Sequence, residues 1–198
     1  MPRYIILVRH GQTQANVQKV IQGQRDTLLS TEGSSQAQKL AYHLKHQRVD
    51  AILSSDLQRA YQTAKAIGEV LKLPVSRLRL LRERYFGPFE NQVWDDIQRA
   101  YPNFIDQAYC QPENDLGVES NNEVDWRIQK TLAYLSRKHR DQTVLLVTHG
   151  GFIRRTLGLI TYLSSEAIDH IPNTSYTLLS KTDSGYRLDL LAQAPHLS

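Results

Sequence analysis

The stretch YIILVRHG, residues 4–11, decides how the chain is read. Ile5 to Val8 are four apolar residues in a row, the pattern of a strand buried on both faces of a sheet. Arg9 and His10 follow directly, and Gly11 ends the run. A strand end whose polar residues simply meet water would look the same. The pattern recurs in TVLLVTHG, residues 143–150, where Val144 to Val147 lead into His149 and Gly150. A third apolar run, Ala51 to Leu53, leads into Ser54, Ser55 and Asp56.

Helical periodicity fills the gaps between these runs. Ser30 or Thr31 caps a helix reaching about His46, with Ala37, Leu40, Ala41 and Leu44 on one face. Asp56 opens a second, carrying Ala60, Ala64, Ile67 and Leu71 and closed near Pro74. Val75 to Leu81 alternates apolar and basic residues, as an edge strand does. Ser120 starts an amphipathic helix to about His139, and another runs from about Phe152 to Leu159. Tyr176–Leu179 and Leu188–Leu191, joined by KTDSGY, read as an antiparallel hairpin. Alternation of this kind predicts an α/β, three-layer α/β/α sandwich with a mostly parallel central sheet. Residues 86–119 break the rhythm. They hold Gly87, Pro88, Pro102, Pro112 and Gly117, several aromatics and one short helix around Trp94–Tyr101, which suits a flap over a site. The expected organisation is one domain over residues 1–198 with that flap as an insertion.

Composition narrows the function classes. At 198 residues, 40% of them hydrophobic and 22% charged, the chain has the make-up of a soluble globular domain. No apolar run approaches the ~20 residues of a membrane span, so no membrane partner is expected. The Tyr4–Val8 run is too short for a signal peptide. Cys110 is the one cysteine, which excludes a disulfide within the chain and makes the cytoplasm the default compartment. The net charge of +4 favours anionic partners.

Ligands of open α/β sheets bind outside the carboxyl ends of the strands. His10 and His149 should therefore face one crevice, with Arg9 beside them and Arg59 arriving from the first turn of the helix after Asp56. Arginine donates in pairs to phosphate oxygens, and the flanking glycines let backbone approach a ligand. A histidine among cations has its pKa lowered, which leaves a ring nitrogen unprotonated and nucleophilic. Neither histidine has metal-ligand spacing, and adjacent arginines repel a divalent cation.

LVRHGQTQAN, SSDLQRAYQTA, RERYFG and VTHGG resemble, in order and spacing, the motifs of the histidine phosphatase superfamily, the phosphoglycerate-mutase-like proteins. The resemblance runs from Ile5 to about Arg154. It implies that His10 is a nucleophile forming phosphohistidine, with Arg9, Arg59 and His149 around the phosphoryl oxygens. Glu83, in LRERYFG, would be the general acid and then the base that activates water. Asn16, Gln22 and the Gly150 N–H would contact the phosphate or substrate. Glu119 and Ser120 match a segment whose glutamate orients site arginines. No metal or organic cofactor is implied, and the expected partner is a small phosphorylated metabolite.

Two departures from the pattern bear on subfamily. Gln12 replaces an acidic residue usual after the RHG motif, and GPFENQ lacks a glycine after its glutamate. Mutases of this family carry a basic insertion that grips phosphoglycerate. Here the segment after Gly87 has Arg99 as its only basic residue as far as Asp115, which points to a phosphatase. Phosphoryl transfer by a cofactor-dependent mutase is the alternative. A non-catalytic phosphate- or nucleic-acid-binding domain is a further one, through Arg77, Arg79, Arg82 and Arg84. Those arginines alternate with Leu78 and Leu80 as on a solvated strand face, and no nucleic-acid module is present.

Overall fold

The first run forms β1 (Tyr4–Arg9) at the centre of a six-stranded sheet. The computed structural model describes residues 1–111, 115–164, 168 and 170–197. The other strands are β2 (Ala51–Ser54), β3 (Val75–Arg77), β4 (Thr143–Thr148), β5 (Tyr176–Thr182) and β6 (Gly185–Gln193). Their spatial order is β3-β2-β4-β1-β5-β6. The first four are mutually parallel, and β5 and β6 add an antiparallel hairpin beyond β1.

The described α-helices are α1 (Gln14–Val17), α2 (Thr31–His43), α3 (Gln58–Leu71), α4 (Trp94–Ala100), α5 (Asn121–Lys138) and α6 (Gly150–Thr161), of which α2, α3, α5 and α6 cover the sheet. Successive strand residues point to opposite faces, so each central strand feeds two cores. Ile6, Val8, Ile52, Leu145 and Val147 meet Leu40, Ala60, Ala64 and Ile67 of α2 and α3. Ile5, Leu7, Leu53, Val144 and Leu146 meet Val124, Ile128, Phe152 and Leu157 of α5 and α6. The result is the three-layer α/β/α sandwich. Among the described residues, no helix is long and apolar enough to cross a membrane.

Several local expectations need correction. Asp56 does not cap α3. Its carboxylate takes two bonds from Arg82, both 2.7 Å, and Arg82 holds its pKa down. The amide of Gln58 instead donates to Asp26 Oδ1, a carboxylate 32 residues away in sequence. Ser30 caps α2, accepting from the Gly33 amide, and the helix stops at His43 rather than His46. β3 ends at Arg77, and Arg79–Leu81 coil into a 3₁₀ turn. Of the four arginines there, only Arg77 and Arg79 are exposed. Arg77 stacks on Tyr61, Arg82 pairs with Asp56, and Arg84 is buried.

The segment from Phe86 builds a core of its own. Phe89, Ile97, Phe104, Ala108 and Val118 pack with Ile21, and Phe86, Trp94 and Tyr109 lie against them. Phe104 touches Phe89, Trp94 and Tyr109 edge-on, an arrangement that aromatic quadrupoles favour. A single turn of π-helix, Asp106–Cys110, follows α4. Residues 112–114, including Pro112, lie outside the described residues.

Candidate active site

β1 and β4 are parallel neighbours in register, Arg9 opposite Thr148. Their next residues are His10 and His149, so the two histidines stand side by side where the ladder ends. The His10 amide still donates to Thr148 O at 3.0 Å. The rings meet edge-on, 5.2 Å between centroids. His10 is 3% exposed and His149 is fully buried.

Backbone contacts fix His10. Its Nδ1 lies 2.7 Å from Gly11 O, an acceptor only, so Nδ1 carries the proton and Nε2 keeps its lone pair. Asn173 Nδ2 donates to His10 O at 2.9 Å, and the Gly11 amide donates to Thr63 Oγ1 on α3. The start of α2 presses against this loop. A methyl on Gly11 would sit 2.5 Å from Gly33 O, and one on Gly33 only 1.9 Å from Gln12 O. Either added methyl would drive the turn and the helix apart.

Arg59, the second residue of α3, is 1% exposed. It donates to Gly23 O at 2.7 Å and Arg25 O at 2.8 Å, which ties the loop after α1 to the site. Burial, opposed by Glu83 and other carboxylates, brings its pKa down to about 10. Arg9 Nη1 donates to Ile171 O. The Nε of Arg9, the Nε of Arg59 and both ring nitrogens of His149 are buried and unpaired among the described residues. Burial, with Arg59 and Arg9 nearby, holds the His10 pKa well below the ordinary value. The same causes, burial first, depress His149.

Glu83 faces this group from the loop after β3. Its Oε1 accepts from the Arg84 amide at 2.8 Å and its Oε2 from the Gly151 amide at 3.0 Å. Beneath it runs a brace that starts at Arg127 on α5. Arg127 pairs bidentately with Glu119, at 2.6 and 2.7 Å, and donates to the carbonyls of Leu80, Arg82 and Glu83. Glu119 in turn accepts from the Tyr85 amide. The glutamate singled out in the sequence thus orients Arg127 and the Glu83 loop rather than Arg9 or Arg59.

A cavity of about 260 Å³ opens over these groups. Arg9, His10, Asn16, Gln22, Arg59, Glu83 and Gly150 all line it. His149 sits behind His10 and is outside the lining. Asn16 Oδ1 closes the capping box of α1 on the Thr13 amide and takes a bond from Asn173. Gln22 Oε1 accepts from the hydroxyls of Thr13 and Thr27. Phe86 and Trp94 reach the cavity from the flap expected over the site, and Gly151, Arg154 and His170 are walls that the sequence did not reveal. His170 is exposed at the cavity mouth, and His196 is half-buried with its Nε2 3.0 Å from Thr174 Oγ1. The second glycine of VTHGG was the available signal for Gly151.

Comparison with known proteins points the same way as the geometry. The profile of the histidine phosphatase superfamily (branch 1) matches residues 5–194. Phosphoglycerate mutase-like protein 4 of Arabidopsis thaliana is 34% identical over 90% of this chain and 80% of its own length. The metal-independent phosphoserine phosphatase of the same plant is 34% identical over 98% of this chain and 83% of its own. Among solved structures, a mycobacterial glucosyl-3-phosphoglycerate phosphatase in complex with VO3 superposes with a TM-score of 0.86 at 33% identity. That match covers 96% of this chain and 98% of the other.

Proposed function

Because the chain belongs to the histidine phosphatase superfamily, branch 1, we propose that it hydrolyses phosphomonoesters without a metal ion, through a phosphohistidine on His10. The observation that carries this reading is the set of buried nitrogens without partners around His10. Leaving buried donors unpaired costs about 1–3 kcal/mol each, more for charged groups. An anion beside His10 would balance the guanidiniums of Arg9 and Arg59, whose Nε atoms have no partner among the described residues. A phosphoryl group, with its oxygens spread around one atom, meets donors arriving from two strand ends and one helix.

The steps follow from the donors. His10 Nε2 attacks phosphorus, and the bond from phosphorus to the ester oxygen breaks. Arg9, Arg59 and His149 spread the charge on the transferring group, as preorganised donors do in a water-poor site. The Glu83 carboxyl gives its proton to the leaving oxygen. Water then attacks the phosphohistidine while the Glu83 carboxylate takes its proton, the phosphorus–nitrogen bond breaks, and inorganic phosphate departs. Asn16 and Gln22 have their carbonyl oxygens occupied, so their amide N–H groups are the ends offered to the phosphate. The substrate is a small phosphorylated metabolite, and the flap over residues 86–119 supplies part of its pocket.

The test is p-nitrophenyl phosphate hydrolysis in EDTA from about pH 4 to 9, with His10→Ala and Glu83→Gln alongside. The expected result is turnover that EDTA leaves intact, vanishes in His10→Ala and falls strongly in Glu83→Gln. Trapping of ³²P on the protein in acid-labile, base-stable form, absent in His10→Ala, would identify the intermediate. Activity that EDTA abolishes, or that survives His10→Ala, overturns the reading.

A further inference from the structure

A second cavity, of about 630 Å³, adjoins the first. Glu83, Phe86, Gly151 and Arg154 line both, so the two meet at Glu83. His10 lines only the first. We propose that the second cavity holds the leaving group of the substrate, that this group is an uncharged, hydroxyl-rich alcohol of glycoside size, and that Gly158 sets its size limit. The proposal rests on the phosphatase reading above and adds the substrate class.

Direction comes first. In an in-line displacement the nucleophile and the leaving oxygen lie on opposite sides of phosphorus. With His10 on one side, the leaving oxygen must reach Glu83 to receive a proton. The rest of the alcohol continues beyond Glu83, which is where the second cavity opens.

Size comes next. A three-carbon acid, with six or seven non-hydrogen atoms, would leave most of this space empty. The volume belongs to the range of roughly 300–1,000 Å³ that holds larger ligands. Helix α6 makes the room. Gly151, Arg154, Arg155 and Gly158 follow the i, i+3, i+4, i+7 spacing of one helix face, and all four line the cavity. A methyl on Gly158 would meet only Leu163 O, at 3.6 Å, so nothing in the fold demands a glycine there. Its missing side chain leaves open space.

Charge decides the class. Arg155 is committed to Asp125 by two bonds of 2.6 and 2.5 Å. Arg84 donates to Asn121 Oδ1 and Glu119 O and stacks 3.9 Å above the Tyr109 ring. Asp106 adds a carboxylate to the wall. Two of the wall's three guanidiniums are thus already satisfied and the third, Arg154, is not free either, which gives little reward to a second anion on the leaving group. What the wall offers instead is the Tyr109 phenol, kept protonated by burial, with the Phe86 ring and Ile105 for carbon faces. That mixture suits a ring carrying hydroxyls.

The experiment compares kcat/KM on trehalose 6-phosphate, glycerol 3-phosphate, 3-phosphoglycerate and p-nitrophenyl phosphate for wild type, Gly158→Ala and Gly158→Phe. The wild type should favour the disaccharide ester over both three-carbon esters by tenfold or more. Gly158→Phe should lower the ratio of trehalose 6-phosphate to glycerol 3-phosphate at least tenfold. Gly158→Ala should lower it less, and it gives the reading should the larger substitution fail to fold. No preference in the wild type, or ratios unmoved by the substitutions, overturns the leaving-group assignment while turnover of p-nitrophenyl phosphate keeps the phosphatase reading. Absence of turnover on all four esters overturns both.

Discussion

Gly151→Ala tests the link between Glu83 and the leaving group directly. The added carbon would lie 2.6 Å from Glu83 Oε1, 3.1 Å from Cδ and 3.2 Å from Oε2. Restoring ordinary van der Waals contact moves the carboxylate by roughly 0.8 Å. It also strains the 3.0 Å bond from the Gly151 amide. A displacement near 1 Å of a positioned group costs about 10²-fold in rate, so roughly 30-fold is expected here, or about 2 kcal/mol. The loss should depend on the ester. An alkoxide leaving from O-phosphoserine needs the proton, whereas p-nitrophenolate departs without one. Because kcat/KM reports events up to release of the alcohol, slow hydrolysis of the phosphoenzyme does not mask the contrast. The assay is therefore kcat/KM on both esters for wild type and Gly151→Ala, with thermal melts in parallel. Alanine is the better helix former, so the melting temperature should not fall. Equal losses on the two esters, or no loss on O-phosphoserine, would refute the idea that Gly151 seats Glu83 as a proton donor.

Two further outcomes follow from the buried charges. His10 and His149 stay neutral in the fold well below the pH at which an unfolded chain protonates them, near 6.5, so acid favours the unfolded state. Between pH 7 and 5.5 the pair should remove roughly 2–3 kcal/mol, read by urea unfolding in phosphate-free buffer, and His149→Asn should shed about half of that dependence. A flat profile would mean that both rings titrate normally. Arg127→Met strips the partly buried Glu119 of its partner, which costs up to about 3–5 kcal/mol, or a melting temperature lowered by as much as roughly 6–20 °C. Arg127→Met combined with Glu119→Leu should recover part of the loss, and a double variant no more stable than the single one would count against a paired origin.

The parts legible in the sequence are those whose cause is local. β1 and β4 announce themselves because four apolar residues in a row need both sheet faces covered. The adjacency of His10 and His149 follows from two strands ending in the same pattern. α5 begins where Ser120 and Glu123 allow a capping box, and the structure has one there. The misread parts answer to distant residues. Asp26 caps α3 from 32 positions away, which removes Asp56 from that task and gives it to Arg82. Arg84 reads as one of four surface arginines until Glu119, Asn121 and Tyr109 close around it. His170 reaches the cavity from a loop without periodicity, so no spacing rule could place it. Arg154 was within reach of the sequence, three residues after Gly151 on the same helix face.

The position of β1 also bears on how the chain is made. It precedes the other described strands in the chain, yet its sheet neighbours are β4 and β5, both from the last third of the sequence. Until residue 143 has emerged, Ile5 to Val8 have no strand to pair with on either edge. An apolar strand with two open edges is an aggregation hazard, and long-range pairing of this kind folds slowly. The backbone around His10 is completed later still, by Asn173 and Thr174 bonding the carbonyls of Arg9 and His10. The backbone at His10 therefore waits for a partner 163 positions further along the chain.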